Sequence, residues 1–228
     1  MADETWGCLG KVEFPSPVGA MVPFELQVRD AGSNTALSGA AVRLCGRLDS
    51  TCATPLMPQI TNEAGIATWT VADNFDGYVE VARAEYASSL YYPQISFFRR
   101  GGGRGPYVTV GKPATLEGLA ALNGVVLDAQ LGITLLYAVD CQGRPAAGVR
   151  FEASDARPNT KVFYLIDRVP NASATATDAV LGGGGFINTP PGLVTFTAVV
   201  AESGRRIGST SLIVRQGQVT YAVLEPAP

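Results

Sequence analysis

The feature that most constrains this chain is that its sequence repeats. The segment around Gly39, Ala40 and Val42 resembles the segment around Gly148 and Val149, and a second matching pair of segments begins at Thr61 and at Thr177. Two copies of a module of about 100 residues are the simplest account of a chain of 228 residues. The repeat therefore predicts two domains of one fold in tandem.

Short strands joined by turns are the structure that the composition favours. The chain is 46% hydrophobic and only 16% charged, with 26 glycines and 15 prolines. Phe24, Leu26 and Val28 alternate with polar residues, which is the pattern of a half-buried strand. Similar short apolar runs recur between turn residues along the chain. We therefore predict an all-β protein made of two β-sandwich modules.

The boundaries of these modules follow from turn-rich stretches. We expect an extended N-terminal arm over 1–20, module one over 21–100, a glycine-rich linker with a short helix over 101–130, and module two over 131–228. The helix is predicted at 115–122, because Leu116, Leu119 and Leu122 share a face and Asn123-Gly124 ends it.

Three stretches carry more local predictions. Ser89 to Phe98 is rich in aromatic residues and is predicted to be a strand. Arg99 to Pro106 contains four glycines and is predicted to be a loop or linker. Thr177 to Gly185 is predicted to be a glycine-rich turn.

The four cysteines permit two disulfides. They are Cys8, Cys45, Cys52 and Cys141, and four cysteines allow three connectivities. The short spacing between Cys45 and Cys52 suits a small closed loop, which leaves Cys8 to pair with Cys141 and tie the arm to module two. Four free thiols are the alternative. Disulfides in turn favour an oxidising compartment.

Charge and hydropathy restrict the partners and the location. The net charge is −3 and neither half is basic enough to form a nucleic-acid-binding surface, so we expect no nucleic-acid partner. No run of 18 apolar residues predicts a membrane span. The chain does not begin with a secretory signal, so we expect that a precursor segment or anchor was removed from an extracellular, cell-surface or periplasmic protein.

Turn residues at matching places carry a family resemblance. A strand is followed by a D-x-x-G-x-P-x-x-G-V motif, a T-[DN]-x-x-G motif and a P-x-G-x-[VY] motif. In module two the matching residues are Asp140, Gly143, Pro145, Gly148, Val149, Thr177, Asp178, Gly185, Pro191, Gly192 and Val194. In module one they are Asp30, Leu37, Gly39, Val42, Thr61, Asn62, Gly65, Asp76, Gly77 and Tyr78.

This pattern resembles the carboxypeptidase regulatory-like, or transthyretin-like, β-sandwich. The resemblance implies two Greek-key, transthyretin-like modules in tandem with one short connecting helix. The two-module layout also resembles exported two-domain proteins of myxobacteria-like bacteria, a group without an assigned activity. Module one departs from the motif by lacking its first proline and by having Asp76 where proline is usual.

Few residues in this sequence are candidates for catalysis or for metal binding. Histidine is absent, which excludes Ser-His-Asp and Cys-His catalysis and histidine metal ligands. Glu63, Asp73 and Asp76 lie in two turns and are candidates for a calcium site if those turns are neighbours. We expect no cofactor and no catalytic residue.

A tyrosine-rich segment is the candidate binding face. Tyr86, Tyr91 and Tyr92 would offer aromatic rings to a glycan or a protein. Because Tyr91 and Tyr92 are adjacent in a predicted strand, we expect that they do not both point inward.

Three functions remain open, in descending order of preference. The first is a non-catalytic exported or cell-surface protein for adhesion, scaffolding or assembly, with a partner or a second copy joined through sheet edges. The second is a carbohydrate-binding or accessory module of an enzyme system. The third is a hydrolase that uses a carboxylate pair.

Overall fold

A computed structural model of the chain describes residues 5–47 and 49–227. Strands dominate these residues, and the predicted all-β fold with tandem sandwich modules is confirmed. None of the described helices is long and apolar enough to cross a membrane. In chain order the elements are β1 (Met21–Asp30), β2 (Ala41–Gly46), β3 (Leu56–Ile60), β4 (Ile66–Ala72), β5 (Gly77–Ala82), β6 (Ser89–Tyr92), α1 (Ile95–Arg99), β7 (Gly103–Val110), α2 (Pro113–Leu122), β8 (Gly132–Ala138), β9 (Val149–Ala153), β10 (Lys161–Ile166), β11 (Val169–Asn171), β12 (Gly183–Thr189), β13 (Gly192–Val200), β14 (Arg206–Val214) and β15 (Val219–Leu224).

The contacts divide the chain into two compact units. Of the described residues, those from 14 to 116 form module one, and those from 117 to 227 together with residues 5–13 form module two. The N-terminal segment expected as one arm over 1–20 is thus shared between the two units. Its first part is held in module two by the Cys8–Cys141 disulfide and by a hydrogen bond from Cys141 N to Thr5 O (3.2 Å).

Module one is built from two sheets. One has the strand order β4-β1-β7, and the other contains β6-β5-β2-β3. Strand β1 pairs antiparallel with β4 and parallel with β7. Its residues Phe24, Leu26 and Val28 are buried as the alternation predicts, and Phe24 stacks on Trp69 with ring centroids 5.4 Å apart.

Module two has the same topology with different additions. One of its sheets contains β11-β10-β12-β8-β15 and the other has the order β14-β13-β9. Strand β8 pairs antiparallel with β12 and parallel with β15, as β1 does with β4 and β7. The six strands β1, β2, β4, β5, β6 and β7 therefore correspond to β8, β9, β12, β13, β14 and β15. Module one adds β3 beside β2, whereas module two adds the β10–β11 hairpin beside β12.

A buried threonine joins the two sheets of module one at the repeated motif. Thr61 Oγ1 donates a hydrogen bond to Leu37 O (2.7 Å) and accepts one from Ala40 N (2.9 Å). The Thr61 backbone adds two further bonds, from its own N to Ala40 O and from Gly39 N to its carbonyl. One residue thus provides partners for four backbone groups, and three of them belong to the buried residues Leu37 and Ala40.

Thr177 makes the same contacts in module two. Its Oγ1 donates to Ala146 O (2.6 Å) and accepts from Val149 N (3.0 Å), and its backbone bonds Val149 O and Gly148 N. Both threonines are almost fully buried. The repeated Thr is therefore a structural bridge, which explains why the sequence repeat is visible at this point.

The glycine that follows each threonine is required by close backbone packing. Gly65 has φ +70°, and a Cβ added there would lie 2.5 Å from Val28 O. Gly182 has φ +60°, and a Cβ there would lie 2.4 Å from Ala138 O. Gly182, and not Gly185, is thus the counterpart of Gly65.

The stretch from Thr177 to Gly185 is only partly the turn that its glycines predict. The turn ends at Gly182, and β12 begins at Gly183 and pairs with β8 and β10. A Cβ on Gly185 would lie 1.9 Å from Thr134 O, so the strand depends on a residue without a side chain. The prediction of a turn over the whole stretch is wrong because glycine here serves close strand packing.

Two other local predictions differ from the structure. The strand predicted over Ser89–Phe98 ends at Tyr92, because Pro93 cannot continue a ladder, and α1 follows. Phe98 of α1 is buried against Phe24 with ring centroids 5.3 Å apart. The stretch Arg99–Pro106, predicted as a linker, enters β7, since Gly102 at φ +65° allows a close approach to Pro23 O.

The predicted helix and both disulfides are present. Helix α2 starts two residues before the predicted Thr115 and ends at Leu122, and Gly124 follows at φ +71°. The disulfides join Cys8 to Cys141 and Cys45 to Cys52, and the described chain contains no free cysteine. This is the pairing that the spacing favoured.

Removing the bridging hydroxyl of Thr61 should destabilise the protein. In Thr61→Val the side chain keeps its shape but leaves Ala40 N and Leu37 O buried without partners, which costs about 1–3 kcal/mol. Urea unfolding should show a lower midpoint for this variant. Thr70→Val is the matched control, since Thr70 is exposed and its change should stay within about 0.5 kcal/mol. Equal midpoints for Thr61→Val and wild type would contradict the structural role.

Candidate functional site

The most unusual surface of module one is strand β3. All five of its residues are exposed, although three of them are large and apolar. Leu56, Met57 and Ile60 are 50%, 48% and 64% exposed. We call these three side chains the β3 surface. Grouped apolar side chains on one strand at the end of a sheet are typical of a docking site for another chain.

A disulfide loop sets the start of β3. Cys45 at the end of β2 is bonded to Cys52, which closes the connection to β3 into a short loop. Inside the loop the Asp49 carboxylate accepts hydrogen bonds from Ala53 N (3.0 Å) and Thr54 N (3.0 Å). The Tyr78 hydroxyl donates to Asp49 O (2.5 Å). These bonds hold the segment that precedes β3 in one conformation.

Strand β4 holds the middle of β3. Trp69 Nε1 of β4 donates a hydrogen bond to Met57 O (2.8 Å), and the indole itself is buried. Met57 has φ +41°, an unusual conformation for a residue with a side chain, and Pro58 beside it has no amide hydrogen. The short edge strand is thus irregular at its centre, which limits extended pairing along it.

The predicted calcium ligands are not brought together. Asp73 accepts hydrogen bonds from Val18 N (2.8 Å) and Gly19 N (3.2 Å), and Asp76 pairs with Arg47 at 2.5 Å. Glu63 lies exposed in the turn before β4. Within residues 5–47 and 49–227 these three carboxylates form no cluster of ligand atoms within 4.8 Å of one another. The two nearby aspartates act as structural acceptors.

In the described part of the chain, one group of potential metal ligands does lie close together. It consists of Cys45, Cys52 and Glu80, all buried. The two cysteines form a disulfide and Glu80 pairs with Arg43, so the group is already saturated by internal bonds. It is a structural cluster beneath the loop that precedes β3.

The predicted tyrosine face is not exposed. Tyr91 and Tyr92 are 5% and 2% exposed, so both adjacent side chains are buried, contrary to the expectation. Strand β6 is covered on both faces, which alternation along a single strand does not reveal. Tyr92 stacks on Tyr78 at 5.1 Å, and burial raises the pKa of Tyr91. Tyr86 donates its hydroxyl to Asp30 Oδ2 (2.7 Å).

Module two contains a surface groove of about 780 Å³. Trp6, Asp140, Arg144 and Glu202 are among the residues that line it. Both oxygens of Asp140 are engaged: Oδ1 accepts from Gln142 N and Arg144 N, and Oδ2 accepts from the Arg144 guanidinium. Burial alone would raise the pKa of Asp140, but the bonds from Arg144 and Gln142 hold it below its usual value. This carboxyl therefore stays ionised and is a poor general acid.

The β3 surface was not predicted from the sequence. The segment Leu56-Met57-Pro58-Gln59-Ile60 has no clear alternation and contains a proline, which is characteristic of an edge strand. The signal that could have located it is the short Cys45–Cys52 spacing, because a closed hairpin loop requires a second strand immediately after it.

The comparisons with known proteins give no family. No family model matches the sequence, and no curated protein matches it. Solved structures that match include the Bacillus anthracis TIE protein, with 11% identity, a TM-score of 0.31, and coverage of 91% of this chain and 34% of that one. The chain thus spans about a third of the length of that protein.

Two further matches are pilus proteins. The shaft pilin SpaA from Lactobacillus rhamnosus GG is 11% identical, with a TM-score of 0.31 and coverage of 92% of this chain and 99% of that one. The group B streptococcus pilus 2b backbone protein is 16% identical, with a TM-score of 0.28 and coverage of 42% of each chain. Similarity at this level does not identify a family.

Acid should release the loop that positions β3. Hydrogen bonds from Thr54 N and Ala53 N lower the pKa of Asp49 to about 2, from an ordinary value of 3.8. Because the folded value is the lower one, the stabilisation is present above about pH 4 and is lost as the pH falls toward 2. The difference in melting temperature between wild type and Asp49→Asn should therefore be largest near neutral pH and shrink across this window.

The exposed carboxylate of Asp155, which accepts a hydrogen bond from the Ser154 hydroxyl, provides the control for this experiment. Asp155→Asn should change the melting temperature little at any pH. A difference between wild type and Asp49→Asn that stays constant from pH 7 to pH 2 would contradict the role given to Asp49.

Proposed function

We propose that this protein is a non-catalytic, exported or cell-surface scaffold that holds another protein chain at the side of module one formed by β3 and β4. The proposal rests on the exposure of the β3 surface. Three large apolar side chains stay exposed on a strand that is fixed at its start by a disulfide and at its centre by Trp69. Binding of a partner over such an apolar surface is favourable, because it removes the apolar side chains from water.

Export is supported by the two disulfides. Disulfides persist in oxidising compartments and are rare in the cytosol. In this chain they close a short loop, Cys45–Cys52, and a long one, Cys8–Cys141. An extracellular, cell-surface or periplasmic location follows from the proposal.

We also propose a family for the two modules. We assign both modules to the carboxypeptidase regulatory-like, or transthyretin-like, sandwiches. Support comes from Thr61 and Thr177, which form equivalent bridges at the T-[DN] motif in both modules. The Asn62 and Asp178 side chains that follow each accept backbone hydrogen bonds within the same turn.

The enzymatic and glycan-binding alternatives gain less support. Asp73, Asp76 and Asp140 are all engaged by backbone amides or arginines, which leaves them unsuited to acid–base work. Tyr91 and Tyr92 are buried and offer no platform to a sugar ring. We therefore place protein docking before both.

A peptide selection tests the proposed function. A library of random ten-residue peptides displayed on phage would be selected against the immobilised wild-type chain. We expect the selected peptides to lose most of their binding to Ile60→Lys and to Leu56→Lys, because a lysine places a charge inside the apolar contact. Binding would be measured by biolayer interferometry with the purified variants.

The matched control is Leu193→Lys in module two, since Leu193 is as exposed as Ile60, both at 64%. Peptides that bind all three variants as well as wild type would contradict docking at the β3 surface. A parallel glycan array that gives a saturable ligand, with no peptide selected, would replace the proposal with carbohydrate binding.

A further inference from the structure

The two modules differ at one sheet edge in an informative way. In module two, β12 has β8 on one side and β10 on the other. Its counterpart β4 in module one pairs with β1 on one side and lies at the end of its sheet, with no strand among the described residues in the position of β10. Module one therefore presents the edge that module two fills with its own chain.

The register shows which backbone groups of β4 face this edge. Val28 N bonds Gly65 O, and the pairing then runs from Gln27↔Ile66 to Met21↔Ala72. Because hydrogen-bonded and non-hydrogen-bonded pairs alternate in an antiparallel ladder, the N–H and C=O groups of Ile66, Thr68, Thr70 and Ala72 point away from β1.

The ends of this row are already occupied, but its middle is not. Ile66 N bonds the Asn62 side chain and Ile66 O accepts from Asn62 N, while Ala72 O accepts from Phe75 N. Among the described residues, none forms a hydrogen bond with the backbone N–H and C=O groups of Thr68 and Thr70, which point away from β1. Two N–H donors and two C=O acceptors are thus available to an added strand.

The same positions in module two are paired. In the matched ladder, Thr68 corresponds to Gly185 and Thr70 corresponds to Ile187. Gly185 pairs with Phe163 and Ile187 pairs with Lys161 of β10. The fold therefore accepts an antiparallel strand at this edge, and the register of that strand is set by Thr68 and Thr70.

The side chains around the free positions favour an occupant that is apolar on one face. Trp69 and its neighbours Ala67 and Val71 are buried in the sandwich, whereas Thr68 and Thr70 are exposed. The β3 surface lies beside the same edge, because Met57 O is bonded to Trp69 Nε1. A strand added at β4 would bring alternate side chains toward the β3 surface and would leave the others beside the two threonines in water.

We propose that the β4 edge at Thr68 and Thr70 is a strand-addition site for an extended segment of a separate protein, apolar at alternate positions. The segment pairs antiparallel with β4, as β10 pairs with β12, and covers the β3 surface with its apolar side chains. This assignment rests on the proposed docking function and names the binding mode and the chemistry of the partner.

The sequence of β10 supplies the probe. A synthetic peptide of Thr160–Asp167, with an added fluorophore, would be titrated with the full chain and followed by fluorescence anisotropy. We expect saturable binding to wild type. In Thr68→Pro the outward N–H is lost without affecting the bonds to β1, so binding should weaken by about tenfold or more. Thr68→Val keeps the N–H and should bind like wild type.

Backbone methylation of the peptide makes the test independent of whether Thr68→Pro folds. The register predicts that the N–H of Phe163 faces β4 and that the N–H of Tyr164 faces away from it. A peptide N-methylated at Phe163 should bind at least about tenfold more weakly, because one hydrogen bond is lost and the methyl group meets the strand. A peptide N-methylated at Tyr164 should keep its affinity.

The outcomes separate this inference from the proposed function. Equal binding of both methylated peptides would show that the peptide does not pair in the register of β10 and would overturn strand addition at β4. Binding that Thr68→Pro does not weaken would also overturn it, because the peptide would then bind elsewhere or replace β10 in module two. If phage-selected peptides still depended on Leu56 and Ile60, the docking function would stand without the strand. A dimer of the chain alone that Thr68→Pro abolishes would assign the site to a second copy and overturn the separate partner.

Discussion

The buried threonine at the start of each repeated turn is the contact on which both modules depend. Thr61 and Thr177 satisfy backbone groups from the two segments that must meet for the sandwich to close. A hydroxyl both donates and accepts, which valine of the same shape cannot do. Once this bridge forms, the glycine that follows must approach the first strand closely, which fixes the start of β4 in one module and of β12 in the other.

The same bridge explains why the modules differ where they do. In module one, β3 runs into Thr61 and lies beside β2. In module two, the corresponding chain leaves β9 and forms β10 beside β12 instead. The Tyr164 hydroxyl then accepts a hydrogen bond from Phe151 N (3.3 Å) at the edge that β3 covers in module one. Each module thus protects one edge with its own chain and leaves a different edge open.

Much of the fold could be predicted from the sequence, because strands, turns and closed loops leave local signals. Alternation at Phe24, Leu26 and Val28 located β1, and spacing identified the disulfide pairs. The Cys45–Cys52 spacing indicates that a strand follows the loop, but the exposure of the β3 surface left no local signal, since exposure depends on which sheet a strand joins. The burial of both Tyr91 and Tyr92 could not be predicted for the same reason, because it depends on the tertiary contacts that cover both faces of β6. The turn prediction is wrong for the glycines at 183–185, which lie in β12, because glycine is common both in turns and where strands pack closely.

The long disulfide also determines the path that a pulling force would take through the protein. Cys8 and Cys141 lie before and after the whole of module one in the chain, 133 positions apart. A pulling force applied at the two ends of the chain therefore passes from Cys8 to Cys141 through a covalent bond and bypasses module one. The strands of module one experience no tension, and neither does β8 of module two, which also lies between the two cysteines. Only the part of module two that follows Cys141 can lengthen. A partner held on module one would stay bound to a folded surface while the chain that anchors it is stretched.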